Sequence, residues 1–224
     1  MDNYLKIFFI VLFSIAFFSI LLLGPALTTK WPDAFVLILI YAFLQITCTI
    51  YMIIYAPKSL EARMGNYVSQ KGLDRIATPL LWLSLLIWII SNPIDVFYLN
   101  LFLPPVVELK YLGLFLFIFS FLMVFLAIVQ NEFAAPTVLI SNEQKVIDSG
   151  LYSIVRHPMY LSFGIWCFGA SLWLESYLGC ILVLILFPPV LFRIYIEERE
   201  LINELDGYLE YTKKVKYRLI PYIY

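Results

Sequence analysis

The sequence predicts an all-α integral membrane protein, and two observations carry that reading. Hydrophobic residues make up 62% of the 224 positions against 14% charged, and the mean hydropathy is +0.89, which excludes an ordinary soluble domain. The hydrophobic residues are also gathered into six uncharged runs of 17 to 24 residues. Each run approaches the ~20 residues needed to cross a hydrocarbon core of ~30 Å.

In chain order the expected spans are 7–29, 34–57, 76–94, 111–131, 157–174 and 176–192. The first could be a signal peptide, since Lys6 precedes it, but its apolar part exceeds the usual h-region and a retained helix is the better reading. The last two are the shortest, so they form a closely turned hairpin around Glu175. Pro158 suits the first turn of the fifth span and holds His157 at its mouth. Pro188 and Pro189 should kink or break the sixth about one turn before Arg193. Gly150 marks a turn, while Gly164 and Gly169 permit close approach of a helix or a ligand.

Six spans place both termini on the same face, and thirteen of the fifteen Lys and Arg then fall there; Lys30 and Lys110 fall opposite. The positive-inside rule makes that face cytoplasmic. With no Gly/Ser linker, charge block or internal repeat, 1–224 reads as a single membrane domain. Residues 1–130 form a plain scaffold of four spans, and 131–224 carry the polar motifs.

Several functions are excluded or disfavoured at this level. A net charge of −1 gives no basic patch for nucleic acid. Cys48, Cys167 and Cys180 lie inside apolar runs without a CxxC or a second His, which disfavours disulfides and a bound metal. The nine glycines contain no GxG pair and no P-loop.

Two stretches stand out. Gly150-Leu-Tyr-Ser-Ile-Val-Arg-His-Pro-Met-Tyr160 sets the single histidine of the chain beside Arg156 and Tyr152, and Arg193-Ile-Tyr-Ile-Glu197-Glu198 sets three charges where the last span ends. Ionisable groups at such depths are candidates for function. Arg193, Glu197, Glu200 and Glu204 share a helical stripe, from which Glu198 points about 100° away. Each feature also has a plain structural reading: a capping role for His157, a surface ion pair of Arg193 with Glu197, and an interfacial tail from Tyr208 to Pro221.

Taken together, with Gly207-Tyr-Leu-Glu-Tyr211 and Val215-Lys-Tyr-Arg-Leu-Ile-Pro221, these motifs make residues 131–224 resemble the isoprenylcysteine carboxyl methyltransferase family, within a wider group that includes phospholipid methyltransferases. Lys71-Gly-Leu-Asp-Arg75 looks like a loop motif of its bacterial-type members. Ser162 departs from the pattern, where many members carry Gly. The resemblance implies a membrane enzyme whose 131–224 region is catalytic, using S-adenosylmethionine in a cytoplasm-facing pocket capped by the C-terminal segment. It assigns cofactor contacts to Gln144, Lys145, Val146, Ile147, Tyr152, His157, Pro158, Met159, Tyr160 and Glu197, and the acceptor's carboxylate to Arg193. Glu198 and Tyr211 are further candidates. The implied partners are the bilayer and a lipidic methyl acceptor. Rival readings are amine methylation of a phospholipid headgroup, a sterol-reductase-like enzyme using NADPH, and a non-catalytic membrane subunit.

Overall fold

The computed structural model describes residues 3–64, 72–133 and 144–224, and among them every regular element is helical. The helices are α1 (Asn3–Leu23), α2 (Pro32–Tyr55), α3 (Pro57–Met64), α4 (Asp74–Ile94), α5 (Val107–Gln130), α6 (Pro158–Trp173), α7 (Tyr177–Leu182), α8 (Phe187–Glu204) and α9 (Tyr208–Lys214). Five stretches are long and apolar enough to cross a membrane: α1, α2, Asp74–Leu99, α5 and Tyr177–Glu204.

The expected fifth span is the one that falls short of that length. α6 holds 16 residues, about 24 Å of helix, because it begins at Pro158 and ends at Trp173, just before the left-handed Glu175 (φ 66). It nevertheless runs between the two ends of the bundle beside α5. The two helices meet backbone to backbone, so that a Cβ on Gly169 would lie 2.6 Å from Phe117 N and 2.7 Å from Gly113 O. Such small-residue crossings let membrane helices pack without a hydrophobic driving force. Gly113 was not singled out from the sequence; its partner Gly169 was.

Trp166 of α6, half-buried, packs against the core, with ring centroids of Phe18, Tyr41, Trp88, Phe117 and Phe163 between 5.1 and 6.2 Å away. These rings tie α1, α2, α4 and α5 to α6. The prolines act as anticipated but earlier in the chain. The backbone tightens into a 3₁₀ stretch at Val183–Leu186, and Pro188 and Pro189 then occupy the first turn of α8, where their missing N–H groups cost nothing.

Polar contacts sort to opposite ends of this bundle. At one end Lys110 joins Asp33 (2.9 Å) and Glu175 (2.8 Å), while Asp95 accepts from Ser176 Oγ at 2.8 Å and Leu178 N at 3.1 Å. At the other end the N-terminus of α1 meets α3 through Lys6 and Met64 O. There the start of α4, the mouth of α6, the end of α8 and the C-terminal segment converge.

Candidate active site

The loop before α6 is held by its backbone. Gly150 is left-handed (φ 59), a conformation that favours glycine. The turn it makes lets Leu151 N donate to Gln130 Oε1 at 3.0 Å. The strand-like C-terminal segment then lies against the same loop: Arg156 N donates to Tyr217 O at 3.0 Å and His157 N to Arg218 O at 2.8 Å. Tyr211 adds a hydrogen bond to Tyr152 O at 2.7 Å. The C-terminal segment thus covers the mouth of α6.

Glu198 is the hub of the site. Only 3% exposed, it accepts from Arg156 Nε at 2.6 Å and Arg218 Nε at 2.8 Å, and His157 Nε2 lies 3.3 Å away. Arg156 Nη1 donates to Val215 O (2.7 Å) and Lys216 O (2.9 Å). Charge-assisted contacts of this kind are the strong ones, so the candidate least favoured by the helical stripe turns out to be the most heavily engaged. His157 sits at the N-cap position but makes no side-chain cap bond, which removes the capping reading.

Glu197 faces a different environment. It accepts from Tyr160 Oη at 3.1 Å, lies 4.0 Å from His157 Nδ1, and keeps 30% of its side chain exposed. Met159 receives a contact from Arg63 Nη2 of α3 at 3.2 Å, and Pro158 is buried beside it. Val146 packs on Leu201, Leu205, Tyr208, Tyr211 and Val215, so the 144–147 stretch borders the C-terminal cover; Gln144 and Ile147 are half-buried there and Lys145 is exposed. Burial pushes the Tyr152 hydroxyl up to about 12 and raises Tyr211 as well, so both remain neutral donors at physiological pH.

Arg193 is 6% exposed and reaches across to the first two turns of α4. It donates to Thr78 Oγ1 at 2.8 Å and lies 3.7 Å from Asp74 Oδ1. Sequence reasoning missed both partners; the one signal was that Asp74 fell inside the 71–75 loop motif, of which Lys71 lies outside the described residues. Arg156 and Arg218, discussed only as neighbours, are also structural members of the site.

Beyond Tyr160 an apolar cavity of about 500 Å³ runs between α5, α6 and the continuous α7–α8 stretch, lined among others by Phe163, Gly164, Phe168, Ile181 and Val190. Tyr160 therefore belongs to both the charged centre and the apolar cavity. Among the described residues no cluster of His, Cys, Asp and Glu could hold a metal ion.

Fold and site define a multi-pass membrane protein with a buried charged centre at one end of its helices and an apolar chamber leading from it. Residues 111–203 match the model of the isoprenylcysteine carboxyl methyltransferase (ICMT) family, which bears out the resemblance read from the motifs. The match takes in the 150–160 and 193–198 motifs and stops before Gly207. Over 77 residues the chain is 34% identical to the protein-S-isoprenylcysteine O-methyltransferase of Schizosaccharomyces pombe, a stretch that is 34% of this chain and 33% of that protein. The chain thus matches about a third of the length of that curated relative. A solved structure of the eukaryotic intramembrane Ras methyltransferase ICMT aligns with 99% of this chain and 86% of its own at 18% identity and a TM-score of 0.47. At that score the fold assignment stands on the helices themselves.

Proposed function

We propose that the chain is a membrane methyltransferase that uses S-adenosylmethionine to esterify the carboxylate of a lipidic, isoprenylcysteine-like acceptor. The observation that carries this reading is the double role of Tyr160, whose hydroxyl binds Glu197 while its ring lines the apolar cavity. A polar head and an apolar tail of one acceptor would meet at this residue.

The residues present suit the methyl donor. Glu197, engaged by one hydroxyl and part-exposed, is a carboxylate for its α-ammonium group. Tyr152, Pro158, Met159, Val146 and Ile147 offer aromatic and apolar surface for an adenine, with Gln144 and Lys145 at the rim. When bound, the donor supplies an electrophilic methyl group. His157, held against Glu198, keeps the floor of the pocket in one geometry.

A carboxylate acceptor has a free pKa near 4 and is already ionised at neutral pH, so no general base is needed. Arg193 has only to hold the anion in line, and orientation of this kind can supply several kcal/mol of rate enhancement. The cavity takes the tail, which enters from the bilayer between the short helices. Both termini are read as cytoplasmic, from the thirteen of fifteen basic residues on the face that carries the site.

Replacing Arg193 by Lys tests the assignment, because lysine keeps the charge and loses the planar fork. Turnover is expected to fall strongly while donor affinity stays within about threefold, the pattern of an interaction felt mainly in the transition state. Lost donor binding would move Arg193 to the donor site; full activity would reduce it to a structural ion pair.

A further inference from the structure

We infer that Asp74 and Thr78, one turn apart at the start of α4, are positioning residues that aim Arg193 and keep its charge compensated when the acceptor loses its own. The inference rests on the functional reading above. The three side chains form a directed relay. Arg193 Nη1 donates to Thr78 Oγ1 at 2.8 Å, and the same hydroxyl donates to Asp74 Oδ1 at 3.1 Å. A threonine hydroxyl has one hydrogen to give, so the direction of each bond is fixed and the orientation of that guanidinium arm follows from it. The relay spans 115 positions of sequence, and both its charged members are almost fully buried, Asp74 at 2% and Arg193 at 6%.

The chemistry gives Asp74 a reason to be there. Esterification turns an anion into a neutral product, with no proton moved. If Arg193 relied on the acceptor for its counter-charge, every turnover would leave a buried guanidinium with its compensation removed, which is costly. Asp74, 3.7 Å away, supplies a counter-charge in the acceptor-bound and product states alike. It also lies too far for a tight bidentate pair, so it compensates the Arg193 charge only in part and leaves an attraction for the acceptor carboxylate. Partial neutralisation weakens the grip on that carboxylate, which must remain nucleophilic to react.

The two residues should therefore fail differently. Thr78→Val keeps shape and breaks the relay; Thr78→Ser keeps the hydroxyl. Asp74→Asn keeps the acceptor oxygen and removes the charge. With N-acetyl-S-farnesylcysteine as acceptor, Thr78→Val should lower kcat by about 10- to 100-fold with KM within about threefold, and Thr78→Ser should restore kcat to within about threefold of wild type. Asp74→Asn should lower acceptor KM and kcat together, each by about three- to tenfold, because a more positive Arg193 binds the ground-state anion more tightly than it helps the transition state. Donor affinity should stay near wild type in Thr78→Ser and Asp74→Asn; the thermal midpoint should stay near wild type in Thr78→Ser and fall in Asp74→Asn, which leaves the buried Arg193 without its counter-charge when no acceptor is bound. Wild-type kcat in Thr78→Val, no rescue by Ser, or a raised KM in Asp74→Asn would each overturn the inference while leaving the functional reading intact. A wild-type protein that binds donor yet esterifies no carboxylate acceptor would overturn both.

Discussion

The two ends of the bundle are both charged, yet they are wired in different ways. At the end carrying Lys110, charges close on one another: the ammonium lies between Asp33 and Glu175 and over the Trp173 ring at 5.2 Å, and Asp95 is filled by a hydroxyl and a backbone amide. Those contacts pin the start of α2, the end of α4 and the tight turn after α6. At the other end two neighbouring carboxylates are treated unequally. Glu198 is saturated by Arg156, Arg218 and His157, while Glu197 is engaged by Tyr160 and stays part-exposed. A clamp saturates all its charges, whereas a binding site fixes one group so that another can stay available.

If that distinction is right, the largest effect belongs to Glu198. Glu198→Ala leaves the buried Arg156 without its carboxylate and should cost about 3–5 kcal/mol, seen as a steep fall in the thermal midpoint in detergent. A midpoint near wild type would mean that the hub is not holding the C-terminal segment. Next comes a pH effect on the cover of the site. The Tyr152 hydroxyl titrates at about 12 in the fold and near 10 when unfolded. The neutral form is therefore favoured by folding, and its stabilisation is present below pH 10 and lost as pH rises through 12. Unfolding midpoints should stay flat with respect to this group up to pH 10 and then drop, and Tyr152→Phe should lessen the drop.

At the clamp end, Lys110→Met should cost about 1 kcal/mol, between the exposed and buried extremes for ion pairs, and leave donor affinity untouched. Weakened donor binding in that variant would erase the division of labour between the ends. The smallest effect is expected for Lys214→Ala, whose partner Asp148 lies on the surface at 2.6 Å; exposed pairs contribute little, so neither midpoint nor affinity should change measurably.

How much of this was legible beforehand follows from which forces are local. The long helices were readable because run length against bilayer thickness is a property of the chain alone, and α6, expected over 157–174 and found over Pro158–Trp173, was readable to within a residue at each end because Pro158 and the turn at Glu175 bound it. The mouth of α6 was readable because Pro158 fixes the backbone of its neighbour. Glu198 was undervalued because a helical wheel gives direction without saying which partner stands there. Arg156 and Arg218 arrive from two other segments, and nothing in the spacing of α8 announces them. Asp74 was missed for the same reason: the relay with Arg193 exists only after α4 packs on α8.

The central claim is that the end with the unequal carboxylates is the methyl-donor site, and titration calorimetry with S-adenosylmethionine tests it most directly. Wild type should bind, Lys110→Met should bind equally well, and Glu197→Gln, which keeps the shape and removes the charge, should bind at least about tenfold more weakly at an unchanged thermal midpoint. Equal affinity in wild type and Glu197→Gln would contradict the account and put the donor, if it binds, elsewhere in the molecule.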